Sequence, residues 1–140
     1  MSGQGCILLV EDDEIDAEIV RRAFREGGSS RPIIVARDGI EALELIRGSN
    51  GRPGLARPYL VLLDLRMPRM SGPEFLTALR GDPAIRDLSV FVMSTSAAER
   101  HKSEAYAYGV AGYIIKRDNQ EAMTRIARML DAYCDLVALP

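Results

Sequence analysis

The sequence predicts an α/β fold in which a parallel sheet carries helices on both of its faces. Five short apolar runs alternate along the chain with five segments whose apolar residues recur at helical spacing. The apolar runs lack polar alternation, which is typical of strands buried on both faces of a parallel sheet. The length of 140 residues fits one compact domain that can bury its own core.

The predicted strands and helices follow one another in a regular order. The first strand covers residues 5–10, and the apolar stripe of the first helix begins at Ile15. The second helix starts after Asp38, and Pro73 fits the first turn of the third helix. Residues 48–58 are rich in glycine, proline, serine and asparagine, so we expect a long loop there. The other strands are expected at residues 33–36, 59–63, 90–93 and 113–115.

The composition excludes several functional classes. The chain is 47% hydrophobic and 27% charged, as expected for a globular domain, and its net charge of −2 does not favour a nucleic acid or an anionic membrane as partner. Cys6 and Cys134 lack CxxC spacing, which argues against a redox or zinc site, and we expect both thiols to be inert. No apolar run approaches the ~18 residues of a membrane span. Residues 1–5 do not resemble a signal peptide, so we expect a cytoplasmic protein.

Polar side chains follow four of the predicted strands directly. Glu11 and Asp12 come after the first strand, Asp64 after the third, Ser94 after the fourth and Lys116 after the fifth. The carboxyl ends of parallel strands meet at one edge of a sheet, so we expect these groups to lie close together. Three clustered carboxylates favour a hard cation such as Mg²⁺, and an amine with a hydroxyl suits an anionic group. The pattern therefore predicts an aspartate that accepts a phosphoryl group.

Four segments together resemble the receiver domains of two-component response regulators. They are LLVED at residues 8–12, LLDLRMPRMSG at 62–72, Ser94, and GVAGYIIK at 109–116. The resemblance extends over nearly the whole chain and implies a flavodoxin-like receiver fold. In that fold, five parallel strands have the order 2-1-3-4-5, with helices on both faces. We accordingly expect residues 1–140 to form a single receiver domain.

The resemblance also implies a role for each acidic residue. Asp64 would be the phosphoacceptor and a metal ligand. Asp12 would bind Mg²⁺ directly, with Glu11 assisting either directly or through water. The backbone carbonyl of Arg66 would supply a further ligand to the metal.

A second group of residues would bind the phosphoryl group and transmit its presence. The 30-residue step from Asp64 and the 22-residue step to Lys116 match the family pattern for Ser94 as the switch hydroxyl. Lys116 would pair with the phosphoryl oxygens, and Thr95 would lie beside the path of an attacking water. Tyr113 matches the aromatic position that turns inward during switching. A proline usually follows the lysine in this family, so Arg117 leaves open whether the preceding peptide bond is trans or cis.

The expected partner is a sensor histidine kinase or a phosphotransfer protein. After Lys116 only 24 residues remain, enough for one helix, so we expect no output domain and signalling through helix four, strand five and helix five. The end of the last helix is apolar all round, which predicts a homodimer through Tyr133, Leu136, Val137 and Leu139. These residues, the loop at 48–58 and the serines near Thr95 resemble stand-alone regulators that serve phytochrome-type histidine kinases.

The sequence disfavours two other functional classes that use a similar fold or a nucleophilic aspartate. A flavodoxin-like electron carrier would need a phosphate loop after the first strand, where three acids would instead repel a flavin phosphate. A haloacid-dehalogenase-type hydrolase would place its nucleophile after the first strand, whereas Asp64 follows the third. A pseudo-receiver that binds partners without phosphorylation remains the alternative. Asp13 is expected to begin the first helix, and His101 is expected to be solvated.

Overall fold

Strands and helices alternate along the chain, as predicted. The computed structural model describes residues 5–67 and 69–140. Residues 1–4, which were compared with a signal peptide, and Pro68 of the family motif lie outside these ranges. The strands are β1 (Cys6–Val10), β2 (Ile33–Ala36), β3 (Tyr59–Asp64), β4 (Ser89–Ser94) and β5 (Gly112–Ile115). The helices are α1 (Glu14–Glu26), α2 (Gly39–Arg47), α3 (Gly72–Arg80), α4 (Glu99–Ala107) and α5 (Gln120–Leu136).

The five strands form one parallel sheet in the order β2-β1-β3-β4-β5, which confirms the predicted fold. Successive side chains of a strand point to opposite faces. On β1, Leu8 and Val10 therefore join an apolar cluster with α2 and α3, whereas Ile7 and Leu9 join a second cluster with α1 and α5. The two clusters bury the three central strands β1, β3 and β4 almost fully, whereas β2 and β5 at the sides of the sheet are mostly half-buried. The carboxyl ends of all five strands lie at one edge of the sheet.

Side-chain caps start α1 and α3 on the carboxyl side of the sheet. The Asp13 side chain accepts hydrogen bonds from the backbone N–H groups of Ile15 and Asp16, at 2.8 and 3.1 Å, and so begins α1 as predicted. Ser71 and Glu74 form a capping box at the start of α3. Because these caps fix where each helix begins, the acidic residues before them remain at the strand ends.

The segment predicted as a long loop contains a short antiparallel ribbon. Gly48–Ser49 pairs with Arg52–Pro53, so the prediction of a loop throughout residues 48–58 was wrong for these residues. Asn50 and Gly51 have φ values of 50° and 79°, the conformation that a tight two-residue hairpin turn requires. The Asn-Gly pair was the sequence signal for this turn. Among the described helices, none combines the length and the apolar character needed to cross a membrane.

Candidate functional site

Three carboxylates meet at the carboxyl edge of the sheet. Glu11, Asp12 and Asp64 each offer an oxygen, and these oxygens all lie within 4.8 Å of one another. Glu11 and Asp64 are buried, whereas Asp12 is exposed to solvent. Hard oxygen donors at this separation, with one side open to water, suit a small divalent cation such as Mg²⁺. The structure thus brings together the three side chains that the sequence predicted as metal ligands.

Lys116 extends into the same cluster from the end of β5. Its Nζ lies 3.2 Å from Glu11 Oε1, 3.6 Å from Asp16 Oδ2 and 3.9 Å from Asp64 Oδ2. Burial lowers the pKa of Lys116, but the carboxylates of Asp64, Glu11 and Asp16 outweigh it and raise that pKa above its usual value. Lys116 is therefore a positive charge held beside Asp64.

Asp16 was not among the predicted site residues. It lies in the first turn of α1, which begins two residues after Asp12. The acid-rich segment from Glu11 to Glu18, which spans the end of β1 and the start of α1, was the available sequence signal.

The clustered charges shift the pKa of Glu11. Burial raises the pKa of Glu11, and the neighbouring Asp64 carboxylate raises it further, while Lys116 acts in the opposite direction. One lysine does not balance the two buried carboxylates and the exposed Asp12. A divalent cation would supply the missing positive charge.

A tight turn after β3 holds the backbone next to Asp64. The N–H of Arg66 donates to Asp64 Oδ1 at 3.2 Å, and the Arg66 side chain is exposed. The N–H of Gly72 donates to the Leu65 carbonyl at 3.1 Å, which closes the loop. A Cβ on Gly72 would lie only 2.7 Å from Leu65 Cδ2, so this close approach requires glycine. The metal-ligand role of the Arg66 carbonyl stays a prediction.

Ser94 lies at the end of β4, next to the strand that carries Lys116. It is 2% exposed, and its carbonyl accepts the Lys116 N–H at 2.8 Å, so the two predicted phosphate-binding residues are held on adjacent strands. The Oγ of Ser94 accepts a hydrogen bond from the N–H of Ser96 at 3.1 Å. Thr95 between them is exposed.

Ser96 also contacts two side chains from other elements. The Tyr113 hydroxyl on β5 donates to the Ser96 carbonyl at 2.8 Å. His101 on α4 places Nδ1 2.7 Å from Ser96 Oγ and is half-buried, so the expectation of a solvated histidine was wrong. Ser96 was missed by sequence reasoning, although Ser96 followed by Glu99 has the spacing of a helix-starting motif.

Two further expectations concern the backbone and the thiols. Within the described ranges the only cis peptide is Arg57–Pro58, so the Lys116–Arg117 bond is trans. With this trans peptide bond, the Lys116 side chain reaches Glu11. Cys134 is buried and Cys6 half-buried, and burial raises the pKa of both thiols, which is consistent with inert cysteines.

Residues 7–128 match the family model described as the response regulator receiver domain. Among curated proteins, the "Probable methanogenesis regulatory protein FilR2" of Methanothrix harundinacea is 35% identical over 127 residues, which is 91% of this chain and 81% of that protein. The response regulator Rcp1 of Synechocystis is 28% identical over 135 residues, which is 96% of this chain and 92% of that protein.

Solved structures agree with these matches. The phosphorylated cyanobacterial phytochrome response regulator RcpA has a TM-score of 0.87 at 30% identity, covering 98% of this chain and 99% of that one. The Mn²⁺-bound form of Rcp1 has a TM-score of 0.84 at 28% identity, covering 97% and 99% of the two chains. With the family model matched across nearly the whole fold and the acidic cluster in place, the chain belongs to the response regulator receiver domains of two-component signalling.

Proposed function

We propose that this receiver accepts a phosphoryl group on Asp64 from a phosphohistidine of a sensor kinase or phosphotransfer protein. The observation that carries the proposal is the Lys116 ammonium 3.9 Å from the Asp64 carboxylate, within the acidic cluster. An Asp64 oxygen attacks phosphorus, the phosphorus–oxygen bond forms as the phosphorus–nitrogen bond breaks, and the departing imidazole takes a proton from solvent.

The acidic cluster suits one divalent cation, and Mg²⁺ is the ion proposed. Asp12, Asp64 and Glu11 would hold it, with the Arg66 carbonyl as a further ligand. When bound, Mg²⁺ supplies charge that neutralises the transferring oxygens. The Mn²⁺-bound structure of the relative Rcp1 supports a divalent site in this fold.

Two side chains of this receiver would stabilise the phosphoryl oxygens. Lys116 contributes a fixed positive charge. Ser94 Oγ already accepts a hydrogen bond from Ser96, so its own hydrogen is free to be donated to a phosphoryl oxygen. Movement of Ser94 and Tyr113 toward that group would change the surface formed by α4, β5 and α5. Thr95, exposed beside Ser94, would lie near the path of the water that removes the phosphoryl group.

The surface next to the site supports a protein as phosphodonor. Ile15 is 74% exposed and Ile19 38% exposed, one helical turn apart on α1, directly after the acidic residues. Large apolar side chains grouped in this way are typical of a protein contact. The relative RcpA is a phytochrome response regulator, which supports a phytochrome-type histidine kinase as the partner.

The proposal includes a homodimer through the C-terminal part of α5. Leu136 is 85% exposed and Val137 40% exposed, and Met129 adds to this apolar surface. The other two predicted contact residues pack within the protomer: Tyr133 meets Phe91 edge-on at 5.0 Å, and Leu139 packs against the core. The proposed contact is therefore centred on Leu136 and Val137.

Intact-mass measurement tests the phosphorylation proposal. The protein is incubated with a small phosphodonor and Mg²⁺, and we expect a gain of one phosphoryl group. The gain should vanish in Asp64→Asn and persist in Asp118→Asn, which changes an exposed acid outside the cluster. No gain in the wild-type protein would favour the pseudo-receiver, a module that binds partners without phosphorylation.

A further inference from the structure

Ser96 joins three elements around the candidate switch hydroxyl. Its N–H donates to Ser94 Oγ at 3.1 Å, its carbonyl accepts from the Tyr113 hydroxyl at 2.8 Å, and its Oγ lies 2.7 Å from His101 Nδ1. Every polar group of this residue is thus engaged, and we call these four residues the Ser96 network. The network ties the end of β4 to α4 and to β5.

The side chain of His101 is the part of this network that belongs to α4. Ser96 Oγ accepts the N–H of Ala98 at 3.2 Å, so its hydrogen is free to be donated to His101 Nδ1. The imidazole proton is then assigned to Nε2, on the basis of the hydrogen-bond network. The hydrogen bond to His101 therefore holds the Ser96 side chain in one rotamer. In this rotamer Ser96 Oγ accepts the N–H of Ala98 at the start of α4.

Helix α4 has few other anchors. Ala98 at its N-cap provides no side-chain hydrogen bond, and Ala105 is the one buried residue of the helix. Beneath it lies a cavity of about 180 Å³, whose lining includes Leu65, Leu76, Ser94, Ser96, His101 and Ala105. The start of α4 and the segment before it therefore have room to move if the Ser96 network is broken.

We propose that His101 is a positioning residue for the phosphoryl-binding hydroxyl of Ser94. A free serine side chain samples several staggered rotamers, whereas donation from a fixed Ser96 N–H holds Ser94 Oγ in one of them. His101 acts through Ser96 and does not touch the reacting atoms. This inference rests on the proposed phosphorylation of Asp64 and names a residue that controls the same site.

Holding the Ser94 hydroxyl in one rotamer should affect the rate at which Asp64 is phosphorylated. A hydroxyl held in one rotamer needs less reorganisation to reach the developing charge than one that samples several rotamers. One hydrogen bond contributes about 0.5–1.5 kcal/mol net, which corresponds to a factor of roughly 2 to 12 in rate or population. We therefore expect His101→Ala to slow maximal phosphorylation of Asp64 by roughly 2- to 12-fold. The Kd for Mg²⁺ should not change, since His101 is not a member of the acidic cluster.

The kinetic test uses the full chain, a small phosphodonor and Mg²⁺, with intact mass as the readout. Lys102→Ala is the matched control, because it shortens the next residue of the same helix and should leave the rate unchanged. His101→Asn keeps a polar atom near the position of Nδ1 and should restore most of the rate. Equal rates for His101→Ala and the wild-type protein would overturn the inference alone. Absence of any wild-type phosphorylation would overturn the proposed function and the inference with it.

A second measurement needs no phosphorylation. In amide NMR spectra of the metal-free protein, His101→Ala should shift the Ser96 amide proton, which donates to Ser94, whereas Lys102→Ala should not. Ser96→Ala combined with His101→Ala should perturb the Ser94 resonance no more than Ser96→Ala alone, since both act in one network. An unchanged Ser96 amide in His101→Ala would overturn the inference.

Discussion

The ammonium group of Lys116 lies 3.2 Å from a carboxylate oxygen of Glu11, although 105 residues separate them in the chain. Their strands, β5 and β1, are not neighbours, since β3 and β4 lie between them. The lysine side chain therefore crosses the carboxyl edge of the sheet, and the contact exists only when all four strands are correctly paired. This ion pair connects the metal-binding and phosphate-binding halves of the proposed site.

Removing the cation of this pair should destabilise the metal-free protein. Lys116→Met leaves Oε1 of the buried Glu11 carboxylate without its hydrogen-bond donor, which is expected to cost about 1–3 kcal/mol in the free energy of unfolding. Urea denaturation in the presence of a chelator measures this cost. In the double variant Lys116→Met/Glu11→Gln the loss should be smaller than the sum of the single losses, and additive losses would show that the pair is not coupled.

Mg²⁺ should stabilise the wild-type protein through its acidic cluster. A ligand that binds only the folded state at 100 times its Kd adds about 2.7 kcal/mol to the free energy of unfolding. Asp12→Asn should lose most of this increment, because it removes a ligand charge. Its metal-free stability should not fall, because the substitution removes one negative charge from the acidic cluster.

Thermal unfolding with chelator and with saturating Mg²⁺ provides the comparison for Asp12. Glu44→Gln, which neutralises an exposed acid on α2, serves as the control and should keep the full increment. A full Mg²⁺ increment in Asp12→Asn would contradict the assignment of this residue as a ligand.

The sequence predicted the sheet well because its strands are apolar along their length and polar residues appear only at their ends. The same property located Glu11, Asp64 and Lys116, since each directly follows an apolar run. The contacts of Ser96 and His101 could not be predicted in this way. They depend on how the segment between β4 and α4 folds back, and no periodic pattern fixes that path.

Asp16 and the ribbon near Asn50 illustrate two different limits. Asp16 lies close to Asp12 in the sequence, but its contact with Lys116 is made across the sheet edge and becomes visible only in three dimensions. The ribbon depends on local turn chemistry, so the Asn-Gly pair could have predicted it. The composition of residues 48–58 alone indicates a loop and does not reveal the ribbon.

The cap at the start of α2 should make stability depend on pH. Burial raises the pKa of Asp38, but hydrogen bonds from the Glu41 N–H and from Arg69 outweigh it, and the pKa lies below its usual value. The stabilisation is therefore fully present above the unfolded-state pKa of about 3.9 and is lost as the pH falls through the lower folded-state value.

Asp38→Ala measures this contribution directly. At pH 7 the variant should lose about 1 kcal/mol of stability, as is typical of a removed N-cap. The difference from wild type should shrink below pH about 4, where the Asp38 carboxylate of the unfolded wild-type chain takes up a proton. Ser71→Ala removes a cap that does not ionise, so its cost should persist at low pH. A constant cost for Asp38→Ala between pH 7 and pH 3 would contradict this account.

The exposed end of α5 predicts an assembly that one substitution can disrupt. Leu136 is 85% exposed, and burying an apolar side chain of this kind against a partner contributes about 1.5–3 kcal/mol. Leu136→Asp would instead place a charge in that contact, so the variant should be monomeric at concentrations where the wild-type protein is a dimer. Size-exclusion chromatography with light scattering gives both masses. Ile40→Asp, on an exposed position of α2, should leave the dimer intact; a wild-type monomer at tens of micromolar would refute the dimer.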